Sequence, residues 1–336
     1  MTGMIPLSVL DLSPVPEGLE PGDALRNSAD LAKLADGLGY NRYWMAEHHN
    51  MPGIASAATA VALAHVAQGT KRIRFGAGGV MLPNHSPYMV AEQFGTLAAL
   101  YPGRVDLGLG RAPGSDQTAA RAMRRNLAGG GDDFPQDVLE LMRYFQPSEP
   151  GQSLRAVPGE GSNIPVWILG SSTYGAQLAA MLGLPYAFAS HFAPQMMMQA
   201  IQLYRANFRP SAQQATPHVM LGVSVVAAPT DAEAQYLFTS QQQSFINLRT
   251  GRPGKLPKPV EGFAERLDPR ARMVLAQTLS CAVVGGPATV REGLAAFIAE
   301  TGADELMVTG GIHDHALRRR SYELLAEAHQ GLAQAA

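Results

Sequence analysis

Eight short apolar stretches alternate with amphipathic stretches along the chain, and this alternation limits the possible folds more than any other feature of the sequence. Strands that alternate with helices are typical of a parallel sheet. Eight such units favour a closed barrel over an open sheet. The sequence therefore predicts an α/β fold, a (β/α)8 TIM barrel with insertions, whose strands cover residues 5–10, 41–46, 73–81, 105–109, 165–169, 184–189, 219–227 and 305–309.

Apolar residues at helical spacing predict helices between these strands. Leu31 and Leu34 lie on the apolar face of the first helix, which Gly39 closes. Ser56 is expected to cap the second helix, and Pro87 to open the third. The predicted helices cover residues 23–38, 56–67, 87–100, 135–145, 172–182, 194–207, 288–301 and 315–330, and a further helix starts at Thr230.

The length of 336 residues suits one barrel domain that spans residues 1–336. Two irregular insertions are predicted. Residues 146–163 are rich in Pro, Gly and Ser, and residues 248–268 contain too many prolines and glycines for a regular element. Because long loops in compact enzymes are often lids, we expect the second insertion to cover a site.

Composition excludes several classes of protein. The net charge of −2 gives no electrostatic case for binding nucleic acid or an anionic membrane surface. A single cysteine, Cys281, excludes an internal disulfide framework and suits a reducing compartment. The chain shows neither a signal-peptide pattern nor eighteen consecutive apolar residues. These features predict a cytoplasmic protein without a membrane span.

The fourth predicted strand ends in a glycine-flanked arginine, Arg111. Gly108 and Gly110 lack side chains, so a ligand can approach the backbone closely, and α/β proteins bind ligands where their strands end. A guanidinium group suits phosphate because it can donate two hydrogen bonds. Arg111 is therefore a candidate phosphate ligand. The alternatives are a solvated arginine on a flexible turn, or a dinucleotide-binding motif in which Pro113 replaces the third glycine.

The fifth predicted strand passes into its helix through Gly170, Ser171 and Ser172. Free amides at a helix N-terminus carry partial positive charge and bind phosphate. An ordinary serine N-cap would explain one of these residues, though not the glycine before two serines. Together with Arg111, this turn predicts a two-sided phosphate site.

Glu47, His48 and His49 follow the second predicted strand. An acid and two histidines at a strand end can accept and release protons near neutral pH. Because adjacent strand residues face opposite sides, we expect only one of the two histidines to point at a ligand. Other reactive side chains at strand ends are Asp11, His85, His191, His313 and His315.

Metal binding is the alternative use of this cluster. Metal-dependent barrel hydrolases commonly carry His-x-His after the first strand, and this chain has no histidine there. His313 and His315 have that spacing, but they follow the last strand. The sequence therefore predicts no metal site.

Two adjacent glycines, Gly78 and Gly79, interrupt the third predicted strand. Glycine weakens a strand interior, so the pair indicates a bulge, an unusual peptide geometry or a flat ligand lying against the backbone. A tightly packed layer of the barrel is an equally good explanation.

Taken together and in order, these motifs resemble the bacterial-luciferase-like family of flavin-dependent monooxygenases. The resemblance runs over nearly the whole chain. The segments that carry it are residues 8–14 (SVLDLSP), 44–49 (WMAEHH), 74–83 (RFGAGGVMLP), 103–114 (GRVDLGLGRAPG), 167–172 (WILGSS), 284–287 (VGGP) and 304–308 (DELMV).

The resemblance implies a barrel that receives reduced FMN from a separate flavin reductase and uses O2 to oxygenate a small organic substrate, with a homodimer as the assembly. It implies that Arg111 and the turn after the fifth strand hold the phosphate. It also implies a non-proline cis peptide between Gly78 and Gly79, against the flavin ring. The predicted site residues are, for catalysis, Glu47 and His48 and, for the cofactor, Gly78, Gly79, Arg111, Gly170, Ser171 and Ser172.

The chain departs from true luciferases in two respects. A second phosphate-binding arginine cannot be assigned, because Arg121, Arg124 and Arg125 all compete for the position. The short, proline-rich segment at residues 248–268 means that the aldehyde pocket and light emission do not carry over. Alternatives are a deazaflavin (F420)-dependent oxidoreductase of the same fold, a non-catalytic flavin-binding protein, and a zinc hydrolase.

Overall fold

Eight parallel strands, each hydrogen-bonded to the next, close into a barrel in the computed structural model of the chain, which describes residues 5–111, 117–123 and 133–334. Pairing of β6 with β7 and of β9 with β1 completes the ring, which confirms the predicted TIM barrel. The ring strands are β1 (Leu7–Asp11), β2 (Arg42–Met45), β3 (Arg74–Met81), β4 (Val105–Gly110), β5 (Val166–Gly170), β6 (Tyr186–Phe188), β7 (Val219–Ala227) and β9 (Glu305–Thr309).

Helices surround the barrel and connect its strands. Their ends follow ordinary capping rules: α1 ends at Gly39 in the left-handed conformation (φ 85°), and the Thr230 hydroxyl accepts a hydrogen bond from the amide of Glu233 at the start of α8. None of the described helices has the length and apolar character that a membrane span requires. The helices are α1 (Pro21–Leu38), α2 (Thr59–Ala67), α3 (Pro87–Leu100), α4 (Gln117–Met123), α5 (Phe134–Tyr144), α6 (Thr173–Leu182), α7 (Met197–Asn207), α8 (Asp231–Arg249), α9 (Pro269–Thr278), α10 (Pro287–Thr301) and α11 (His315–Gln334).

Three details differ from the sequence prediction. A short strand, β8 (Val283–Gly285), pairs with β7 beyond the part of β7 that pairs with β9, and three residues between loops gave too little pattern to recognise it. Helices α4 and α9 were also missed. Ser56 does not cap α2, whose N-cap is Ala58. Its hydroxyl instead donates to the carbonyl of Ala46 (2.6 Å), where it ties together the loops that follow the first strands.

Side chains of each ring strand alternate between the helix layer and the barrel interior. In β4, Leu107 and Leu109 pack under the helices, whereas Asp106 faces inward. Trp44 and Trp167 fill the interior, with their rings 5.2 Å apart and nearly perpendicular. The interior is therefore a packed core below the ends of the strands.

Buried charges close the N-terminal end of this core. Arg42 bridges two carboxylates, with 2.6 Å from its Nη1 to Asp106 Oδ2 and 3.0 Å from its Nε to Glu305 Oε1. Arg74 also binds Asp106 (2.6 Å), and the Ser8 hydroxyl donates to Glu305. Each buried carboxylate thus has a cationic partner, which a charge in a barrel core requires.

Glu305 should make the fold sensitive to acid. Burial alone would raise the pKa of its carboxyl, but the nearby His218, the charge of Arg42 and the hydrogen bonds from Ser8 and Asn41 outweigh burial and lower the pKa below the usual 4.5. Because the pKa of Glu305 is lower in the folded state than in the unfolded state, the ionised carboxylate stabilises the fold at pH values above 4.5. This stabilisation is lost as the pH falls through the pKa of the folded state. We expect the free energy of unfolding to decrease below about pH 4.5. In Glu305→Gln that decrease should be shallower, as measured by urea unfolding from pH 3 to pH 7; equal slopes would contradict the assignment.

Candidate active site

A cavity of about 750 Å³ opens at the end of the barrel where the strands finish. Its charged side chains are all cationic: Arg111, Arg249 and Arg318 line it, and no aspartate or glutamate does so among the described residues. Three histidines, His48, His49 and His191, also line the cavity. Because the buried Asp11 carboxylate balances the charge of Arg318 (2.8 Å), Arg111 and Arg249 supply the positive charge of the cavity, which favours an anionic ligand.

One corner of the cavity has the features of a phosphate site. The Arg111 guanidinium lies 4.0 Å from the centroid of the Tyr174 ring, a cation–π contact that places it beside the first turn of α6. Ser172 occupies the N-cap of α6, but its side chain accepts no capping hydrogen bond. Gly170 and Ser171 complete the corner, and all five residues line the cavity. Arg111 and the turn after β5 therefore lie together, as a two-sided phosphate site requires, and the binding of phosphate by these residues stays a prediction.

Gly78 and Gly79 form the flat wall next to this corner. The peptide bond between them is cis, as the resemblance implied. A Cβ on Gly79 would lie 2.7 Å from the carbonyl oxygen of Gly108, and one on Gly78 would lie 2.9 Å from a methyl group of Leu10. The wall therefore requires glycine for its own packing, and it exposes bare backbone to the cavity.

Glu47 organises the residues at the end of β3, the strand that carries the glycine wall. Its carboxylate is buried and accepts hydrogen bonds from His49 Nε2 (2.7 Å), from His85 Nε2 (2.8 Å) and from the amide of Met81 (3.1 Å). Burial raises the pKa of the Glu47 carboxyl, but the two histidines and the amide outweigh burial and lower it. Glu47 is not among the described residues that line the cavity, and its side chain contacts the two histidines instead, so its predicted catalytic role stays a prediction.

Glu47, His49 and His85 place their ligand atoms within 4.8 Å of one another, close enough to bind a metal ion. The direct hydrogen bonds account for this arrangement without an ion, because each imidazole already donates to the carboxylate. The cluster is therefore consistent with the prediction of no metal site, which stays a prediction.

Strand alternation does not separate His48 from His49, because β2 ends at Met45 and neither histidine belongs to a strand. Both histidines lie in the following loop, and both line the cavity. They differ in their contacts instead, because His49 is engaged with Glu47.

The segment predicted as a lid borders the cavity. Leu256 forms a bridge with Pro16, and its amide donates to the carbonyl of Val15 (2.8 Å). At Gly53, a Cβ would lie 2.1 Å from the carbonyl oxygen of Gly254, so the two backbones touch. Residues 250–268 contain no helix or strand beyond that bridge and a 3-10 turn, whereas residues 248–249 belong to α8. The segment thus lies over the cavity against the loops after β1 and β2.

Two parts of the cavity were missed in the sequence. Helix α8 lines it with one face at helical spacing, a stripe that consists of Gln241, Ser244, Phe245, Leu248 and Arg249. The helical spacing of these residues is visible in the sequence, but nothing in the sequence indicated that this face of α8 borders the cavity. His191 was recognised only as a reactive side chain at a strand end, and it lines the cavity beside β7.

The candidates for a second phosphate-binding arginine remain untested. Arg124 and Arg125 lie outside the described residues, and the side chain of Arg121 is likewise not described. Arg249 is another arginine of the cavity, at the C-terminal end of α8.

Comparison with known proteins agrees with this geometry. Residues 5–305 match the family model described as luciferase-like monooxygenase. The chain is 53% identical over 328 residues to a "Luciferase-like monooxygenase" of Escherichia coli strain K12, and the match covers 98% of each protein.

Solved structures give the same result. The crystal structure of apo-MsnO8 has a TM-score of 0.86 and 38% identity, and the match covers 97% of this chain and 98% of that one. The oxygenating constituent of 3,6-diketocamphane monooxygenase from Pseudomonas putida, a type II Baeyer–Villiger monooxygenase solved with FMN, shares the fold with a TM-score of 0.72 at 18% identity, and the match covers 96% of this chain and 97% of that one.

Proposed function

The chain belongs to the luciferase-like monooxygenase family, and we propose that within this family it binds reduced FMN and uses O2 to oxygenate a small organic substrate. One observation carries the proposal. An arginine and a helix N-terminus converge on one corner of the cavity, directly beside a flat glycine wall. That combination suits a ligand with a phosphate at one end and a planar ring at the other.

The described residues fit FMN. Arg111 and the first turn of α6 would hold the phosphate, because a guanidinium group and free helical amides both favour a dianion. Gly78 and Gly79 would lie against the ring, where any side chain would collide with the barrel itself. Bound flavin supplies the redox chemistry with O2. The protein supplies orientation, proton control and shelter from water.

Each remaining part of the site has a task in this proposal. His48 holds or delivers a proton at the reacting edge of the ligand, while Glu47 fixes His49 and His85 behind it. The segment around Leu256 excludes water, since it bridges to the loop after β1 over the cavity.

The partners of this reaction are part of the same proposal. A separate flavin reductase supplies the reduced FMN, because the chain carries no complete dinucleotide-binding motif. A homodimer is the proposed assembly. The sedimentation velocity of the purified protein tests the dimer, and a monomer at micromolar concentration would contradict it.

Arg111→Ala should weaken the binding of FMN by about tenfold or more, because it removes a charge-assisted contact worth about 1.5–3 kcal/mol. Riboflavin lacks the phosphate and should bind equally to both proteins. Anaerobic titration of reduced FMN and reduced riboflavin measures both affinities. Equal losses for the two ligands would show that Arg111 does not bind the phosphate.

Tyr174→Phe is the matched control for this experiment. It keeps the aromatic ring under the Arg111 guanidinium and removes only the hydroxyl, so FMN affinity should stay within about twofold. The same titration with coenzyme F420 tests the alternative cofactor. Tight binding of F420 together with weak binding of FMN would overturn the proposed function.

A further inference from the structure

His191 is fixed against a bare patch of strand β7. It follows β6, and a Cβ built on Gly222 would lie only 2.2 Å from its Nδ1, so the imidazole occupies the space that a side chain would need. The neighbouring Ser190 hydroxyl donates to the carbonyl of Gly222 (2.6 Å), and the Phe192 ring meets the imidazole edge-on at 4.8 Å. These contacts hold the ring in one orientation at the cavity wall.

The His191 imidazole is neutral at physiological pH. Burial, together with the positive charge that His48 can carry, lowers its pKa to about 4. No carboxylate among the described residues lines the cavity to reverse this effect. A neutral imidazole has one N–H, so the position of that proton decides what the residue can do.

Geometry places the proton on Nε2. Nδ1 is fully buried and has no hydrogen-bond partner, because it points at the α-carbon side of Gly222. A buried N–H without an acceptor is rarer in proteins than an acceptor without a donor, so a proton on Nδ1 is the less favourable tautomer. The side chain as a whole is only half-buried and lines the cavity, and Nε2, unlike Nδ1, is not among its buried atoms without a partner, so Nε2 is the nitrogen that can face the cavity.

We propose that His191 is a neutral hydrogen-bond donor of the active site, whose Nε2–H binds an oxygen atom of the substrate on the same cavity as His48. A neutral donor does not balance a negative charge, so the fitting group is an uncharged acceptor such as a carbonyl or ether oxygen on an otherwise apolar molecule. Donation by a neutral imidazole with a depressed pKa can polarise such a group. This proposal rests on the proposed function for the statement that a substrate reacts in this cavity.

The protonation state can be measured on the protein alone, so the result does not depend on whether FMN binds. In nitrogen-15 NMR spectra of imidazole-labelled protein, His191 should stay neutral with its proton on Nε2 from about pH 5.5 to pH 8. His191→Gln identifies the resonance of His191, because that resonance is missing from the spectrum of the variant. His313→Gln removes a different histidine, which is hydrogen-bonded to the carbonyl of Glu17, and is the control for this identification. Titration near pH 6.5, or a proton on Nδ1, would overturn the proposal.

Binding of an uncharged probe pair tests the donor role. The probes are 2-octanone and 2-methyl-1-octene, which differ in a carbonyl oxygen against a methylene group. We expect wild type to prefer the ketone by about three- to tenfold, His191→Phe to lose that preference, and His191→Gln to retain it because its amide can still donate. An unchanged preference in His191→Phe would overturn the donor role.

Gly222→Ala tests the same imidazole without changing His191 itself, because the added methyl group would displace the His191 ring. It should reduce the ketone preference as His191→Phe does, and the two changes should not add in the double variant. Ser224→Ala is the control on the same strand, since that hydroxyl contacts Gln241. Additive losses from Gly222→Ala and His191→Phe would contradict the coupling. If the probe preference and the tautomer are as expected but FMN does not bind, the proposed function fails and the assignment of His191 stands.

Discussion

Asp11→Asn should lower the free energy of unfolding by about 3–5 kcal/mol, although it changes only one atom. Asp11 is completely buried at the end of β1, and its carboxylate accepts a hydrogen bond from Arg318 (2.8 Å) on α11. Arg318 is itself almost completely buried, and its Nε has no partner. Loss of the negative charge therefore leaves a buried guanidinium without a counter-ion, and this accounts for the large decrease in the free energy of unfolding.

The double variant Asp11→Asn/Arg318→Met should recover most of this loss, because a neutral pair carries no uncompensated charge. Asparagine keeps the oxygen that accepts from the amide of Ser13 (2.8 Å), so that local bond survives in both variants. Urea unfolding of the wild type, both single variants and the double variant gives the coupling energy. A double variant as unstable as Asp11→Asn would show that the cost comes from the loop after β1 and not from the charge.

Features that a short stretch of chain determines were predictable from the sequence. The two-residue period of β4 places Leu107 and Leu109 toward the helices and Asp106 toward the interior, as the structure shows. The position of Arg111 at the end of that strand also placed it at the cavity beside the turn after β5, because parallel strands all finish at the same end of a barrel. For these residues the local pattern of the strand and the topology of the barrel predict the same position.

Features that depend on contacts between distant residues were not predictable. Glu47 contacts His85, which lies 38 residues further along the chain. The Glu47 carboxylate therefore faces this histidine and does not line the cavity. His191 is fixed by Gly222, which has no side chain and therefore leaves no pattern of its own. The choice between His48 and His49 also required the end of β2, since a difference of a few residues decides whether the rule of alternating faces applies.

His48→Ala should lower oxygenation of substrate by about 10²–10⁴-fold, the usual contribution of a general acid or base. His48 lines the cavity, and an imidazole is the side chain that most readily gains and loses a proton near neutral pH. FMN affinity should change by less than about threefold, because the substitution leaves the proposed phosphate site at Arg111 and Tyr174 unchanged. Product formed per reduced flavin consumed, together with the affinity for reduced FMN, separates these two effects.

His49→Ala is the matched control, because it lies next to His48 on the same cavity but donates its proton to Glu47. Its removal leaves the buried Glu47 carboxylate with His85 and the amide of Met81, so we expect a loss of stability of about 1–3 kcal/mol and a smaller loss of activity. If His49→Ala abolishes oxygenation while stability is unchanged, then His49 is the group that transfers the proton. If neither variant changes product formation, proton control does not lie with these two histidines, and the role proposed for His48 is wrong.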